Sequence, residues 1–371
     1  MIKATALREK LVLPAIGELL LSSFRPLLGI LLAFIVSAGM IALAGANPIQ
    51  AYRALIEGAI GSPQSIANTM VRASPLLLGG LGAAVGVKAG LWNVGIEGQM
   101  YAGAVGATAV ALIPLPVPSW LHVTLSMLAA AVFGAAWGLI PAYLRAYRGV
   151  NEVVTTLMLN YVGIYFASWL VHEPQPLAEP DAFYPMSRII LPSARLPILL
   201  KGSSLHPGPI IGIALCVVAY LILRYTPFGF RTRLIGSNPE VARYTGMNVN
   251  RQILFVLILA AAMGGVAGSG EILGLKLRLY DFFVGGVGYE ALAVALLVMG
   301  NPLLVIPGAL FFGGLKSGAA SMQITTGIEA PMALVIQALC VLFVIGVGFA
   351  ERRWIDRRKQ KVTEEAKANG Y

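Results

Sequence analysis

The amino-acid sequence predicts an all-α polytopic membrane protein with about ten transmembrane helices. Hydrophobic residues make up 57% of the 371 positions and charged residues only 12%, against about 25% charged in an ordinary soluble domain. The remaining charge is concentrated in loops and at the ends of the chain. It separates apolar runs that are close to the ~20 residues needed to cross ~30 Å of hydrocarbon, which is the signature of membrane-spanning helices.

Ten such runs follow one another along the chain. They lie near residues 27–46, 74–91, 95–113, 121–143, 153–171, 208–224, 252–274, 285–300, 302–320 and 331–350. The first run ends in Ala44-Gly45-Ala46, which resembles a signal-peptidase site. Because this run is longer than a usual signal core and follows a basic segment, we interpret it as an uncleaved first span.

The positions of Lys and Arg predict how the chain is oriented. With both termini inside, 18 of them fall in cytoplasmic segments and eight in outside segments, the latter including Arg72 and Lys316. This bias follows the positive-inside rule, so the net charge of +10 is poor evidence for nucleic-acid binding. We therefore expect a cytoplasmic segment over 1–26, a transmembrane domain over 27–350 and a cytoplasmic tail over 351–371. The domain would carry an external loop at 172–207 and a cytoplasmic loop at 225–251.

The cytoplasmic loop contains the start and stop signals of a short helix. Asn238 is a favoured N-cap, Pro239 suits the first helical position, and Glu240 places an acid at the positive end of the helix dipole. Gly246 supplies a stop. A helix of about seven residues is not stable alone in water, so it needs something to pack against.

The side chains of this helix suggest a surface for a partner protein. Glu240 and Arg243 are three positions apart and can pair along one face, while Val241 and Tyr244 share another face. The alternative is a solvated loop that lies on the membrane surface. Because of the capping signals, we favour docking.

Glycine spacing hints at an inverted repeat. Gly82, Gly86 and Gly90 in the second run, and Gly264 and Gly268 in the seventh, allow close helix packing. Each run is followed by a glycine-interrupted start of the next one. Broken helices at matching places in two halves are typical of transporters, although close packing alone would also explain the glycines.

Polar and aromatic side chains lie in or beside the apolar runs, where burial is unfavourable unless they are partnered. Together they would suit a neutral polyhydroxyl or heterocyclic ligand, because amides and acids bind hydroxyl groups and rings stack. The alternative is that they cap broken helices or hold the bundle together. The candidates for a substrate path are Trp92, Asn93, Glu97, Gln99, Asn151, Glu152, Asn160, Phe282, Phe283 and Glu290.

Several chemistries find no support in the sequence. It contains neither the HExxH nor the GxSxG motif, and Cys and His residues lack the spacing of a metal site. The dipeptide Gly-Lys does not occur, which excludes a Walker A phosphate loop. We expect no catalytic residues, no metal and no directly bound cofactor, so any ATP would be used by another chain.

At these residues the chain resembles a known family. The segments 88–104 (KAGLWNVGIEGQMYAGA), 149–161 (GVNEVVTTLMLNY), 236–251 (GSNPEVARYTGMNVNR) and 288–319 resemble bacterial ABC importer permeases of the ribose and branched-chain amino acid class. The similarity covers most of residues 74–350 and is strongest to the nucleoside-type subgroup. One departure is Val298-Met299-Gly300, where many members have a more polar turn.

The resemblance implies a type II importer fold in the bacterial inner membrane, with two permeases around a path. It also implies a cytoplasmic ATPase, an external substrate-binding protein or lipoprotein, and a second permease that is not identical to this chain. The coupling segment would contain Gly236, Asn238, Glu240, Arg243 and Gly246, with Val241 and Tyr244 on the same short helix.

Two other functions stay open at this stage. The chain could be an ABC permease for ribose-like or other simple sugars. It could also be an ion-coupled secondary transporter that uses Glu97, Glu152 or Glu290 as its ion site.

Overall fold

The computed structural model describes residues 27–368, with side chains described over 27–350. The predicted cytoplasmic segment 1–26 and the side chains of the predicted tail lie outside the described part. All longer regular elements of the described residues are helices. The chain divides into two compact units, one over Ile49–Ala330 and one formed by the segments on either side of it.

The helices follow in chain order. They are α1 (Leu27–Leu43), α2 (Pro48–Ile60), α3 (Pro63–Lys88), α4 (Ile96–Ala111), α5 (Ser119–Arg148), α6 (Glu152–Val171), α7 (Gly208–Tyr225), α8 (Pro227–Ser237), α9 (Pro239–Tyr244), α10 (Val249–Glu271), α11 (Val287–Leu297), α12 (Pro302–Thr326) and α13 (Met332–Ala368). A π-helical turn, Ile272–Lys276, extends α10, and a short 3-10 turn, Pro192–Ala194, lies between α6 and α7.

The prediction of ten spans is not confirmed. Seven described helices are long and apolar enough to cross a membrane, or up to eight if α1 and α2 together form one bent span. The predicted spans at 95–113 and 285–300 are the short helices α4, with 16 residues, and α11, with 11 residues. Their sequences are apolar enough for a span, but at 1.5 Å per residue neither reaches across ~30 Å.

Two basic residues that were counted with the outside segments lie inside long helices. Arg72 is an exposed residue within α3, and Lys316 lies within α12. The predicted run 74–91 left Arg72 out because a charge lowers the local hydropathy, whereas the predicted run 302–320 already contained Lys316. Lys316 is accommodated by an ion pair with Glu290, at 2.9 Å.

In the first unit, α1 packs closely against α13. A Cβ atom at Gly29 would lie 2.7 Å from the Cα atom of Val344, so only glycine allows this approach. The side chains of Ala33, Ile41, Ile336 and Cys340 are fully buried.

In the second unit, α3 is the central helix. It packs against α7, α10, α11 and α12, and most of its residues from Ala73 to Gly86 are buried. A Cβ atom at Gly82 would meet Ala260 and Met263 of α10, which explains why the helices can approach so closely here.

Two helices were missed by the sequence analysis, α2 and α8. At α8 the signal was present, since Thr226 accepts a hydrogen bond from the amide of Gly229 and Pro227 holds the first helical position. Thr226 and Pro227 thus cap and begin α8 in the same way as Asn238 and Pro239 do for α9. The low hydrophobicity of the segment led to its interpretation as loop.

The short helix predicted after Asn238 is confirmed as α9. Oδ1 of Asn238 accepts from the amides of Glu240 and Val241, at 3.0 and 3.1 Å, and Gly246 follows the helix with φ of 78°. The helix is anchored by its own small core, because Ala242 is fully buried against Ile235.

Candidate functional site

Two breaks in the helical backbone define the candidate site. The first break, residues 89–95, lies between α3 and α4, and the second, residues 277–286, lies between the π-helical turn and α11. Both breaks stand where the glycine-interrupted starts were predicted. A break inside a bundle leaves backbone N–H and C=O groups that need partners from elsewhere.

The two short helices begin next to each other, level with the middle of α3. A Cβ atom at Gly79, near the centre of α3, would lie 3.1 Å from Ile96 and 2.9 Å from Ala291. From that point α11 runs along the second half of α3, since a Cβ atom at Gly300 would meet Ala84 and Val87. The N-termini of α4 and α11 therefore meet inside the bundle.

A polar stripe on α6 satisfies the backbone of the first break. Glu152, Thr156 and Asn160 recur at every fourth position, so they share one face of the helix. Oε1 of Glu152 accepts from the amide of Trp92 at 3.2 Å, and Oγ1 of Thr156 accepts from the amide of Val94 at 3.2 Å.

Asn160 completes this stripe with three hydrogen bonds. Its Oδ1 accepts from the amide of Gly98 at 2.8 Å, and its Nδ2 donates to the carbonyl of Val94 at 2.9 Å and to the Tyr289 hydroxyl at 3.2 Å. The side chain is fully buried. Asn160 therefore links α6, the first break and α11.

Two residues one turn apart on α4 hold the second break. The carboxylate of Glu97 accepts from the amides of Gly286 and Gly288, at 2.8 and 2.7 Å, and the Tyr101 hydroxyl accepts from the amide of Val284 at 3.2 Å. No side chain of the second break caps α11. Glu97 thus caps a helix far from its own in sequence, where its negative charge meets the positive end of the dipole.

Asn93 and Gln99 pair through their side-chain amides. Each donates to the other at 3.0 Å, and Oδ1 of Asn93 also accepts from the amide of Gly95. Both side chains are buried. This pair fixes the turn by which the first break enters α4.

Glu152 forms a further interaction with a basic residue. Its Oε2 lies 3.0 Å from Nε of Arg145 at the end of α5. Asn151 beside it is exposed, and its Oδ1 caps α6 by accepting from the amide of Val153 at 2.9 Å. Glu152 and Asn151 therefore both fix the connection between α5 and α6.

Glu290 differs from the other two acids because one of its oxygens has no partner. Oε1 accepts from Nζ of Lys316 at 2.9 Å, whereas Oε2 is buried without a hydrogen bond among the described residues. Glu290 lies in the first turn of α11, close to the meeting point of the two helices.

The aromatic candidates divide into buried and accessible side chains. Phe283 is 7% exposed and packs edge-on against Tyr101, with ring centroids 4.9 Å apart. Phe282 is 53% exposed and lies edge-on to Tyr165 of α6, at 6.2 Å. Trp92 is 46% exposed at the first break.

The predicted coupling residues lie on α8, α9 and the turns beside them. Glu240 and Arg243 form the predicted pair at 2.9 Å, and Val241 and Tyr244 are both exposed. Gly236 lies against the end of α3, where a Cβ atom would overlap the carbonyl oxygen of Lys88. The helical segment of this loop thus contacts the chain immediately before the first break.

Sequence reasoning missed Thr156, Tyr101 and Lys316. Thr156 could have been found, because it lies four residues from both Glu152 and Asn160 on one helical face. Tyr101 lies one turn after Glu97 in the same way. Lys316 was counted with the outside segments, so its pairing with Glu290 was not considered.

The arrangement leaves few groups free for a ligand. Glu97, Glu152, Asn93, Gln99 and Asn160 use their polar atoms on the backbone, on one another or on the side chains of Arg145 and Tyr289, which favours the capping role over ligand binding for these five. The accessible aromatic faces remain, while the unpaired oxygen of Glu290 is buried. Stacking surfaces suit a ring-containing solute better than a bare ion.

The family profile and the similar proteins all indicate a permease component of a transport system. The profile of the branched-chain amino acid transport system permease component matches residues 65–345. The glucose ABC transporter permease protein TsgB13 of Haloferax volcanii is 34% identical over 88% of this chain and 88% of its own length. The nucleoside ABC transporter permease protein NupB of Lactococcus lactis is 32% identical, covering 93% and 96%, and the guanosine ABC transporter permease protein NupP of Bacillus subtilis is 30% identical, covering 91% and 96%.

Proposed function

The chain belongs to the family of branched-chain amino acid transport system permease components, and on that premise we propose that it forms the translocation path of an ABC importer for nucleosides or related purines. Relatives named for nucleoside and guanosine transport support this class of substrate. The observation that carries the proposal is the meeting of two helix N-termini within the bundle. Solute paths in transporters are commonly built from such broken helices.

The substrate would contact side chains that have no role in holding the two breaks in place. Phe282 and Tyr165 offer ring faces to a purine, as does Trp92. The unpaired oxygen of Glu290 is buried, so it would accept from a ribose hydroxyl or a base N–H only after a movement that exposes it. Phe282 has φ of 50°, a left-handed conformation that is uncommon for a large side chain. Such conformations cluster at ligand sites, which supports a role for this residue.

Two pairs of helices, each with a break between its members, would form an inverted repeat. One pair is α3 with α4, and the other pair is α10 with α11. Contacts of Gly79 with Ala267 and of Gly82 with Ala260 indicate that α3 and α10 run in opposite directions. Movement of one helix pair against the other would then open the path to each side of the membrane in turn.

ATP would act through α9. A cytoplasmic ATPase would bind the exposed face of Val241 and Tyr244, with Glu240 and Arg243 beside it. Because Gly236 touches the end of α3, a displacement of α8 and α9 would be transmitted to the first break without a long chain of contacts.

The complex would need further subunits in a bacterial inner membrane. A second, non-identical permease would complete the path, and an external binding protein or lipoprotein would deliver the substrate. Both termini of this multi-pass chain would be cytoplasmic, as the Lys and Arg bias suggests.

Two alternative functions would use the site differently. The glucose permease among the relatives supports simple sugars as the alternative substrate. An ion-coupled transporter is less favoured, because both oxygens of Glu97 and of Glu152 are engaged and Glu290 is paired with Lys316.

Radiolabelled uptake in cells that lack the gene tests the proposal. Loss of inosine or guanosine uptake, restored by the intact gene, would support nucleosides. Loss of ribose or glucose uptake alone would move the substrate to sugars. Uptake that persists in ATP-free vesicles and collapses with an ionophore would favour the ion-coupled rival.

A further inference from the structure

An apolar groove runs along one face of α10. Both α7 and α10 pack against α3, which leaves a groove between them with α3 as its floor. The apolar part is a cavity of about 160 Å³. Its floor includes Leu81 and Val85 of α3, and its walls include Ile222 of α7 and Leu259 and Met263 of α10.

The groove ends in a basic pocket. This second cavity, of about 740 Å³, is lined by α8, the turn before α10 and the first turns of α10. Phe228 lines both cavities, so they adjoin. Arg231 and Arg251 line the pocket and are exposed, and neither has an ion pair with a described carboxylate. Neither cavity has an acidic residue in its lining.

One face of α10 joins the two parts. Arg251, Phe255, Leu259 and Met263 recur at every fourth position and line the two cavities in turn. The guanidinium of Arg251 lies over the ring of Phe255, 5.4 Å from its centroid. From Arg251 to Met263 the helix rises about 18 Å, compared with a half-thickness of about 15 Å for the hydrocarbon core.

We propose that this groove binds one anionic phospholipid, with an acyl chain between α7 and α10 and the phosphate at Arg231 and Arg251. The apolar walls match the chain, and the two cations without an acidic neighbour match the phosphate. Basic pockets at the ends of spans are recognised sites for anionic head groups. The position beside α8 gives the lipid contact with the helix that precedes α9.

The test compares lipids that differ only in the head group. The full chain, together with the subunits that co-purify with it, is placed in nanodiscs of phosphatidylglycerol and phosphatidylcholine in equal amounts with identical acyl chains. Native mass spectrometry after release counts the retained lipids. We expect one retained lipid with a clear preference for phosphatidylglycerol. The double substitution Arg231→Gln and Arg251→Gln should lower that preference about thirtyfold.

Two variants separate the site from general charge and from misfolding. Arg224→Gln removes an exposed cation at the end of α7 that lines neither cavity, so the preference should be unchanged. Leu259→Trp fills the apolar groove and should abolish retention of both lipids while the protein stays monodisperse.

Several results would overturn the proposal. These are equal retention of the two lipids, an equal loss in the Arg224→Gln variant, or no retained lipid in the assembled complex. The last result would mean that another subunit covers the groove.

Discussion

The carboxylate of Glu97 accepts a hydrogen bond of 2.7 Å from the amide of Gly288, which lies 191 positions further along the chain. Glycine is needed here because a Cβ atom at Gly288 would overlap the backbone of Glu97. The contact joins the starts of α4 and α11, so the stability of the two breaks should depend on it.

Glu97→Gln should therefore lower the stability of the purified protein. An amide side chain would turn an NH₂ group toward one of the two backbone amides, leaving a buried donor without an acceptor, which costs about 1–3 kcal/mol. Thermal unfolding in detergent measures the effect. Glu57→Gln is the matched control, since Glu57 forms an exposed pair with Arg53 and should change little. Equal unfolding temperatures for the two variants would contradict the capping role.

Phe282→Ala and Phe283→Ala should have opposite consequences. Phe283 is buried against Tyr101, so its truncation should destabilise the protein by about 3–5 kcal/mol. Phe282 is half-exposed, so its truncation should lower nucleoside uptake while leaving thermal stability nearly unchanged. Uptake and unfolding are measured on the same membranes. Normal uptake in the Phe282 variant would remove this residue from the proposed path.

The double substitution Glu240→Lys and Arg243→Glu should uncouple ATP hydrolysis from transport. It keeps an ion pair within α9 but reverses the charges shown to a partner, so the helix should form while docking fails. Membrane insertion, ATPase activity and uptake are compared. The same exchange at an exposed pair, Arg53→Glu with Glu57→Arg, serves as the control and should leave uptake intact. Unchanged transport in the α9 variant would argue against docking there.

Gly236→Ala should impair transport through the contact with α3. The added methyl group would overlap the carbonyl oxygen of Lys88 and force the backbones apart, and overpacking of this kind costs about 1–3 kcal/mol. Uptake per assembled complex is the measurement. Ser237→Ala, at the neighbouring exposed position, adds no atoms and should be neutral. If both variants transport normally, the contact does not transmit movement.

The start of α7 should lose stability in acid because of His206. Burial lowers the pKa of His206 from 6.5 to about 4, and its Nδ1 accepts from the amide of Gly208 at 3.0 Å. The unfolded chain binds this proton first, so the contribution is complete above pH 6.5 and is lost as the pH falls toward 4. Unfolding temperatures between pH 7 and 4 should fall less in His206→Asn, which keeps an acceptor without a titrating ring.

His172→Gln is the control for this pH effect, because His172 is exposed. The result expected for it is the same pH dependence as the original protein. If His206→Asn also follows the original curve, another group causes the acid instability.

The sequence predicted the local features of the fold well. The cap of α9 was found at Asn238 because capping depends on residues only two or three positions apart. The two breaks were found from glycine patterns. The number of spans was not predicted correctly, because α4 and α11 are apolar enough for spans but too short. Composition does not show that a helix begins in the middle of the bundle.

The sequence by itself determined that this chain is helical, lies in the membrane and contains a short capped helix between two apolar runs, because hydropathy, run length and caps act over short stretches of chain. Only the tertiary structure decided what its buried polar residues do. Glu97, Thr156 and Asn160 bind backbone groups 62 to 191 positions away. A buried carboxylate or amide must find a partner, but which backbone group lies within 3 Å of it depends on how the helices pack.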